Sequence, residues 1–152
     1  MSELQFWEDF NDGDAWESPG RTVTETDVVQ FAMLSGDWMG LHTDAEVGKA
    51  SAFGERVAHG LLGLSIASGL FVRTQRVQSM APNVMALLGL EWKFTAPIRF
   101  GDTVHLKVTV NSRRETSKKD QGILTLLREL INQKGEVVQV GTTPIMVRRR
   151  PA

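Results

Sequence analysis

Residues 61–72, Leu-Leu-Gly-Leu-Ser-Ile-Ala-Ser-Gly-Leu-Phe-Val, are apolar on almost every side when they are placed on a helix. A helix with this pattern is buried on most of its faces. The pattern continues to about Gln75, and the small residues within it let other elements pack closely. The sequence therefore predicts one long central helix, and the elements that cover it decide the fold.

The second half of the chain supplies that cover, because its apolar pattern changes from helical to alternating. Residues 104–110 carry an apolar side chain at every second position, which is typical of a half-buried strand. Turn signals separate four predicted strands at 85–94, 103–112, 123–132 and 137–147. The predicted fold class is α+β, a single domain over residues 1–152 in which an antiparallel β-sheet is wrapped around the central α-helix.

The first third of the chain is predicted to be helical only in part. Residues 1–20 are rich in Asp, Gly and Trp and are interpreted as a turn-rich N-terminal segment, with a short extended piece around Thr22. Thr24 followed by Asp27 is typical of a helix N-cap, and helical spacing then continues until Gly36. Residues 37–60 have no sustained period and are predicted to form a long functional loop.

Composition excludes several classes of function. A net charge of −1 creates no field that would attract nucleic acid or anionic lipid, so neither is predicted as a partner. The absence of cysteine excludes disulfides and thiolate zinc sites. No apolar run approaches the roughly 20 residues needed to cross a bilayer, and acidic residues stand where a signal peptide is basic and apolar. These observations predict a cytoplasmic protein without a membrane segment.

The predicted loop carries the candidate chemistry. Residues 35–44 read Ser-Gly-Asp-Trp-Met-Gly-Leu-His-Thr-Asp, and residues 58–60 read Ala-His-Gly. Asp37 and His42 can together bind and activate one water molecule, and the backbone N–H of Gly60 can polarise a carbonyl. Alone, a loop Asp is more often a turn residue and a lone His is more often structural. His59 is interpreted as a structural support of the turn into the helix.

Several blocks in a fixed order resemble the hot-dog-fold family of MaoC-like dehydratases and R-specific enoyl-CoA hydratases. The blocks are TETDVVQFAMLSGD (24–37), LHTD (41–44), FGERVAHGLL (53–62), WKF (92–94) and NQKGEVV (132–138). The resemblance extends over about residues 20–147. A lone Asp and His at this spacing would be a weak signal, whereas the ordered set is far more specific.

The resemblance implies a hydro-lyase that adds water reversibly, with syn stereochemistry, to trans-2-enoyl-CoA and forms R-3-hydroxyacyl-CoA. It implies that Asp37 and His42 are the catalytic pair and that the Gly60 N–H binds the thioester oxygen. Ser68 would help to orient the pair. Either Asp37 or His42 can be the base, because a shared water couples their titrations. No metal and no separate cofactor is implied, since coenzyme A is part of the substrate.

The chain departs from the family pattern at Met39-Gly40, where most relatives have Asn-Pro. The change removes a rigid polar turn and lets Gly40 adopt backbone angles that proline cannot. A different loop geometry and a different accepted acyl-chain shape are therefore predicted. Trp38, Met39 and Gly40 are candidate lining residues of the substrate pocket.

Two other functions stay open at this point. One is a hot-dog acyl-CoA thioesterase, which commonly has an acid on the central helix; residues 61–75 contain no Asp or Glu, which disfavours this function. The other is a non-catalytic acyl-thioester-binding subunit, which the change at Met39-Gly40 favours. In each case the resemblance implies a homodimer or a dimer-based oligomer with an acyl-CoA ligand near the subunit boundary.

Overall fold

The computed structural model describes residues 3–151, which form five α-helices and one sheet of seven strands. The helices are α1 (Glu25–Ser35), α2 (Gly40–Thr43), α3 (Ala45–Ala50), α4 (Gly60–Val72) and α5 (Gln75–Met80), with 3₁₀ turns at Trp7–Asp9 and Ala81–Asn83. The strands are β1 (Ala15–Glu17), β2 (Arg21–Thr22), β3 (Val84–Leu87), β4 (Glu91–Phe94), β5 (Thr103–Glu115), β6 (Gln121–Ile131) and β7 (Val137–Arg148).

The sheet has the order β1-β5-β6-β7-β3, and β2 and β4 pair additionally with β5 and β7. All of these pairings are antiparallel. Successive side chains of a strand point to opposite faces of a sheet, so every second side chain of the long strands is buried in the core with α4. This core includes Leu62, Ile66 and Leu70 of the helix and Leu106, Val108, Leu124, Leu126 and Leu130 of the sheet. The predicted α+β class, a sheet wrapped around a central helix, is confirmed.

The central helix α4 is shorter and less completely buried than predicted. It ends at Val72, and a second helix, α5, begins at Gln75 because the Thr74 side chain accepts a hydrogen bond from the Val77 N–H. One side of α4 is exposed in the single chain, at positions spaced by three or four residues: Leu61, Ser65, Ser68, Gly69 and Val72. Over residues 3–151, no helix combines the length and the apolarity that crossing a bilayer requires.

Residues 85–94 are extended, as predicted, but the prediction of a single strand was wrong, because they form two strands, β3 and β4. β3 pairs with residues 145–147 of β7, whereas β4 pairs with residues 139–142. Pro144 lies between these two stretches and has no N–H to donate to the neighbouring strand. Its carbonyl still accepts a hydrogen bond from Leu88 at 2.9 Å. The missing donor therefore interrupts the hydrogen-bonded ladder between β3 and β4.

The N-terminal third confirms the helix at residues 25–35 and corrects two other predictions. Thr24 and Asp27 form the expected capping box, and Gly36 ends α1 with a φ of 76°. The segment 37–60 contains two short helices rather than only loop, because Asp44 caps α3 by accepting from the N–H groups of Glu46 and Val47. The segment 1–20 contains β1, which pairs with β5. His42 consequently lies on a helix, α2.

Candidate active site

Three ionisable side chains converge at the N-terminus of the central helix. Asp37 lies in the turn between α1 and α2, His42 lies on α2, and His59 directly precedes α4. Each contributes one atom able to bind a ligand, and these atoms lie within 4.8 Å of one another. The structure thus brings the predicted pair together and adds His59 to it.

The hydrogen bond of His42 determines which of its nitrogens is available. Nδ1 lies 2.7 Å from the backbone oxygen of Val57. A carbonyl oxygen can only accept, so Nδ1 carries the hydrogen and donates it. In the neutral ring, Nε2 then keeps its lone pair. His42 is only 9% exposed, and its ring is held in an orientation in which Nε2 can accept a proton.

His59 supports both members of the predicted pair. Its Nε2–H donates to the backbone oxygen of Asp37 at 2.9 Å, and its ring lies 3.9 Å from the His42 ring, centroid to centroid. The ring is also 4.9 Å from that of Phe31 and is 2% exposed. His59 therefore ties the turn carrying Asp37 to the start of α4, in agreement with its interpretation as a structural support. Its Nδ1 is buried and has no hydrogen-bond partner within residues 3–151.

Local hydrogen bonds hold the Asp37 turn. The Asp37 N–H donates to the Ser35 hydroxyl at 3.2 Å, and Oδ1 of Asp37 accepts from the Met39 N–H at 3.3 Å. Among the described residues, no Lys or Arg forms an ion pair with this carboxylate. Its remaining lone pairs can therefore bind a water molecule or accept a proton.

A cavity of about 490 Å³ lies beside the cluster. Most of its lining is apolar, and includes Leu41, Phe53, Val57, Leu61, Phe94 and Ile98. The polar side chains in its lining are those of His42, Thr95 and Gln139. An apolar cavity with few convergent polar groups is typical of a small-molecule site. His42 belongs to both the cluster and the cavity, so it connects the two.

The three candidate pocket residues lie outside this lining. Trp38 and Met39 are 54% and 60% exposed, and Gly40 is the first residue of α2. Gly40 has a negative φ, so it does not use the left-handed angles that glycine allows. Its helical N1 position is one that proline favours, and an added Cβ would lie 3.2 Å from the Val47 methyl carbons. The expectation of glycine-specific backbone angles at Gly40 was therefore wrong.

Gly60 lies at the start of the central helix, where the family resemblance implies an oxyanion donor. It is the first residue of α4 and lines the cavity. Within residues 3–151 its N–H has no hydrogen-bond acceptor, as is usual in a first helical turn, where the helix dipole also favours negative charge. An added Cβ would lie 2.9 Å from the Phe94 ring, so glycine is what allows this close packing.

Ser68 is distant from the cluster along the helix. It lies eight residues after Gly60, which is about 12 Å of helical rise. It is exposed, and no hydrogen bond joins it to Asp37 or His42 in the described part of the chain. Its role in orienting the pair stays a prediction.

Gln139 is a site residue that was not predicted from the sequence. This residue is 1% exposed, lines the cavity, and donates through Nε2 to the backbone oxygen of Gly60 at 2.9 Å. The available signal was a long polar residue on the same face of the strand as the apolar residues Ile145 and Val147. That signal could be recognised only once the register of β7 was known.

The comparison with known proteins identifies the family. The sequence model described as the MaoC like domain matches residues 11–129. The chain belongs to the MaoC-like domain family. This MaoC-like chain is 40% identical to Protein MaoC of Klebsiella aerogenes over 115 residues, which are 75% of this chain and 32% of that protein. It therefore spans about a third of the length of that relative.

Two further relatives align with nearly the whole of the MaoC-like chain. The (R)-specific enoyl-CoA hydratase of Rhodospirillum rubrum is 30% identical over 148 residues, covering 97% of this chain and 94% of that protein. The crystal structure of the MaoC-like dehydratase from Rhodospirillum rubrum superposes with a TM-score of 0.88 at 31% identity, covering 97% of this chain and 99% of that one. The likeness extends over the sheet and the central helix, and the hot-dog fold is confirmed.

Proposed function

We propose that this MaoC-like chain catalyses the reversible syn addition of water to a trans-2-enoyl-CoA, forming an R-3-hydroxyacyl-CoA. The observation that carries the proposal is the convergence of Asp37 and His42 beside an apolar cavity that is also lined by Gly60. The similarity to an (R)-specific enoyl-CoA hydratase supports the same reaction class. Dehydration is this reaction in the reverse direction and uses the same groups.

In the proposed mechanism, Asp37 and His42 hold one water molecule between them. Its oxygen bonds to the β-carbon of the enoyl thioester, one of its protons passes to the pair, and a proton from the pair reaches the α-carbon. Negative charge develops on the thioester oxygen and is stabilised by the Gly60 N–H. A donor of this kind typically contributes roughly 3–4 kcal/mol to lowering the barrier. Coenzyme A is part of the substrate, and the reaction is redox-neutral.

The wild-type protein mixed with crotonyl-CoA tests the proposal. We expect the enone absorbance to fall without release of free thiol, and we expect EDTA to leave the rate unchanged. Free thiol would instead identify a thioesterase, although α4 contains no Asp or Glu. Binding without turnover would identify an acyl-thioester-binding subunit. Inactivity toward short, medium and branched enoyl-CoAs would contradict the hydratase function, and inhibition by EDTA would assign the cluster to a metal.

We also propose that the chain acts as a homodimer. β3 is at one end of the strand order, and the segment from β3 to β4 exposes several large apolar side chains: Met85, Leu87, Leu88, Leu90 and Phe94. An unpaired edge with an apolar surface is typical of an interface. Light scattering after size exclusion should give twice the chain mass of 16.9 kDa. A mass of one chain at micromolar concentration would contradict this proposal.

A further inference from the structure

We propose that Gln139 is a positioning residue that sets the orientation of Gly60, and that the Trp92 indole locks the Gln139 amide in place. The inference rests on the proposed function, in which the Gly60 N–H binds the thioester oxygen. It adds two residues, on β7 and β4, to the candidate catalytic groups Asp37, His42 and Gly60, which all belong to the N-terminal half of the chain.

The hydrogen bonds at Gln139 allow only one orientation of its amide. The indole Nε1 of Trp92 lies 3.0 Å from Oε1 of Gln139. An indole N–H can only donate, so the atom facing it must be the amide oxygen. Nε2 therefore faces the backbone oxygen of Gly60, which accepts at 2.9 Å. If the amide oxygen and nitrogen were exchanged, the amide N–H would face the indole N–H and the amide oxygen would face the Gly60 oxygen. Neither pair could form a hydrogen bond.

Gln139 is closely packed against the central helix at Gly63. An added Cβ on Gly63 would lie only 2.2 Å from Nε2 of Gln139 and 2.6 Å from Cδ1 of Ile98, so α4 approaches β7 closely because residue 63 is glycine. Gln139 is almost completely buried. A buried amide without its hydrogen-bond partners would destabilise the folded protein, because water cannot replace the missing hydrogen bonds. The contact between Gln139 and α4 therefore depends both on the hydrogen bonds of the amide and on the absence of a side chain at Gly63.

The contact acts on the group that the proposed reaction uses. The carbonyl and the N–H of Gly60 flank the same Cα, so holding the carbonyl restricts the direction of the N–H. Gly60 and Gln139 both line the cavity. Small errors in the position of a group that stabilises a transition state reduce the rate strongly, by up to about a hundredfold for a shift near 1 Å.

Three variants separate positioning from packing. Gln139→Met keeps a similar volume and removes the donor, and we expect kcat to fall about tenfold to a hundredfold with a smaller change in KM. Thr143→Val is the matched control: Thr143 is buried on the same face of β7, and its hydroxyl has no partner in the described residues. This control should keep kcat within about twofold of wild type.

Gln139→Glu provides a readout that a packing role would not change. The neutral form of the introduced carboxyl can donate its O–H to the Gly60 oxygen, whereas the ionised form has no donor. Burial raises the pKa of such a carboxyl because it disfavours the charged form. We therefore expect the kcat of this variant, divided by the wild-type kcat at the same pH, to be highest at low pH and to fall as the pH rises through that pKa. The wild-type profile should lack this step.

Wild-type kcat for Gln139→Met, or a wild-type pH profile for Gln139→Glu, would overturn the proposal. If the wild-type protein itself hydrates no enoyl-CoA, the proposed function fails. The positioning role of Gln139 can then still be tested by amide hydrogen exchange, measured by NMR. The first hydrogen-bonded amides of α4, those of Gly63 and Leu64, should then exchange faster in Gln139→Met than in wild type and Thr143→Val, because the Gly63 N–H donates to the His59 oxygen and helix geometry places the Leu64 N–H on the Gly60 oxygen. Unchanged exchange in Gln139→Met would overturn the role of Gln139 without reference to activity.

Discussion

Asp37→Asn and His42→Ala are each expected to lower kcat for hydration of crotonyl-CoA by about 10² to 10⁴, the contribution of positioned proton transfer. Asparagine keeps an oxygen that can accept from the Met39 N–H, so the turn should survive while the proton acceptor is lost. His42→Ala also leaves the Val57 oxygen without its donor and is expected to be less stable. Steady-state kinetics and chemical denaturation of each variant measure these two effects separately.

His42→Asn is the sharper variant at this position. An asparagine amide nitrogen can replace Nδ1 and donate to the Val57 oxygen, but the variant has no counterpart of Nε2. We expect it to be as inactive as His42→Ala and closer to wild type in stability. His105→Ala is the control, because His105 lies on β5 outside the cluster and contacts Glu17 at 3.8 Å instead. We expect this variant to keep a near-normal rate. Near-normal rates in Asp37→Asn and His42→Asn would show that the pair is not the site.

Gly63→Ala is expected to have the largest effect on stability among the glycines of α4. The added Cβ would meet Nε2 of Gln139 and Cδ1 of Ile98 at distances that atoms cannot adopt. Overpacking of a core typically costs about 1 to 3 kcal/mol, and we expect the upper end because Gln139 is held by two hydrogen bonds. The free energy of unfolding from denaturant titration measures the loss.

Gly69→Ala is the matched substitution on the same helix. Within residues 3–151, no atom apart from the chain neighbours and the backbone of α4 itself lies within 4 Å of a Cβ at Gly69. Alanine is also the better helix former by up to about 1 kcal/mol. We expect this variant to be slightly more stable than wild type. Equal losses in both variants would contradict the close approach of α4 and β7 at Gly63. A loss in Gly69→Ala alone would indicate that another surface packs on the exposed side of the helix.

The predictions that succeeded depend on short-range chemistry. The capping box of Thr24 and Asp27 and the left-handed Gly36 act within a few residues, so both ends of α1 could be read from the chain. The alternation at 104–110 likewise reports a strand with one buried face. The convergence of Asp37 and His42 followed from the family resemblance, which carries three-dimensional information that their spacing alone does not.

The predictions that failed depend on neighbours distant in sequence. The break between β3 and β4 is caused by Pro144, more than fifty residues later, which faces them only through the pairing with β7. β1 exists because β5 supplies its hydrogen-bond partners. α2 and α3 are too short to be distinguished by periodicity, and α3 depends on the Asp44 cap.

By itself, the sequence determined the α+β class, a central helix and the three long strands β5, β6 and β7, and the family resemblance supplied the candidate roles of Asp37, His42 and Gly60. Only the tertiary structure decided that His59 supports this pair and that Gln139 binds Gly60. The physical reason is that a buried polar group takes its partner from whichever element is packed against it. Local pattern predicts the elements, whereas the register and packing between them select those partners.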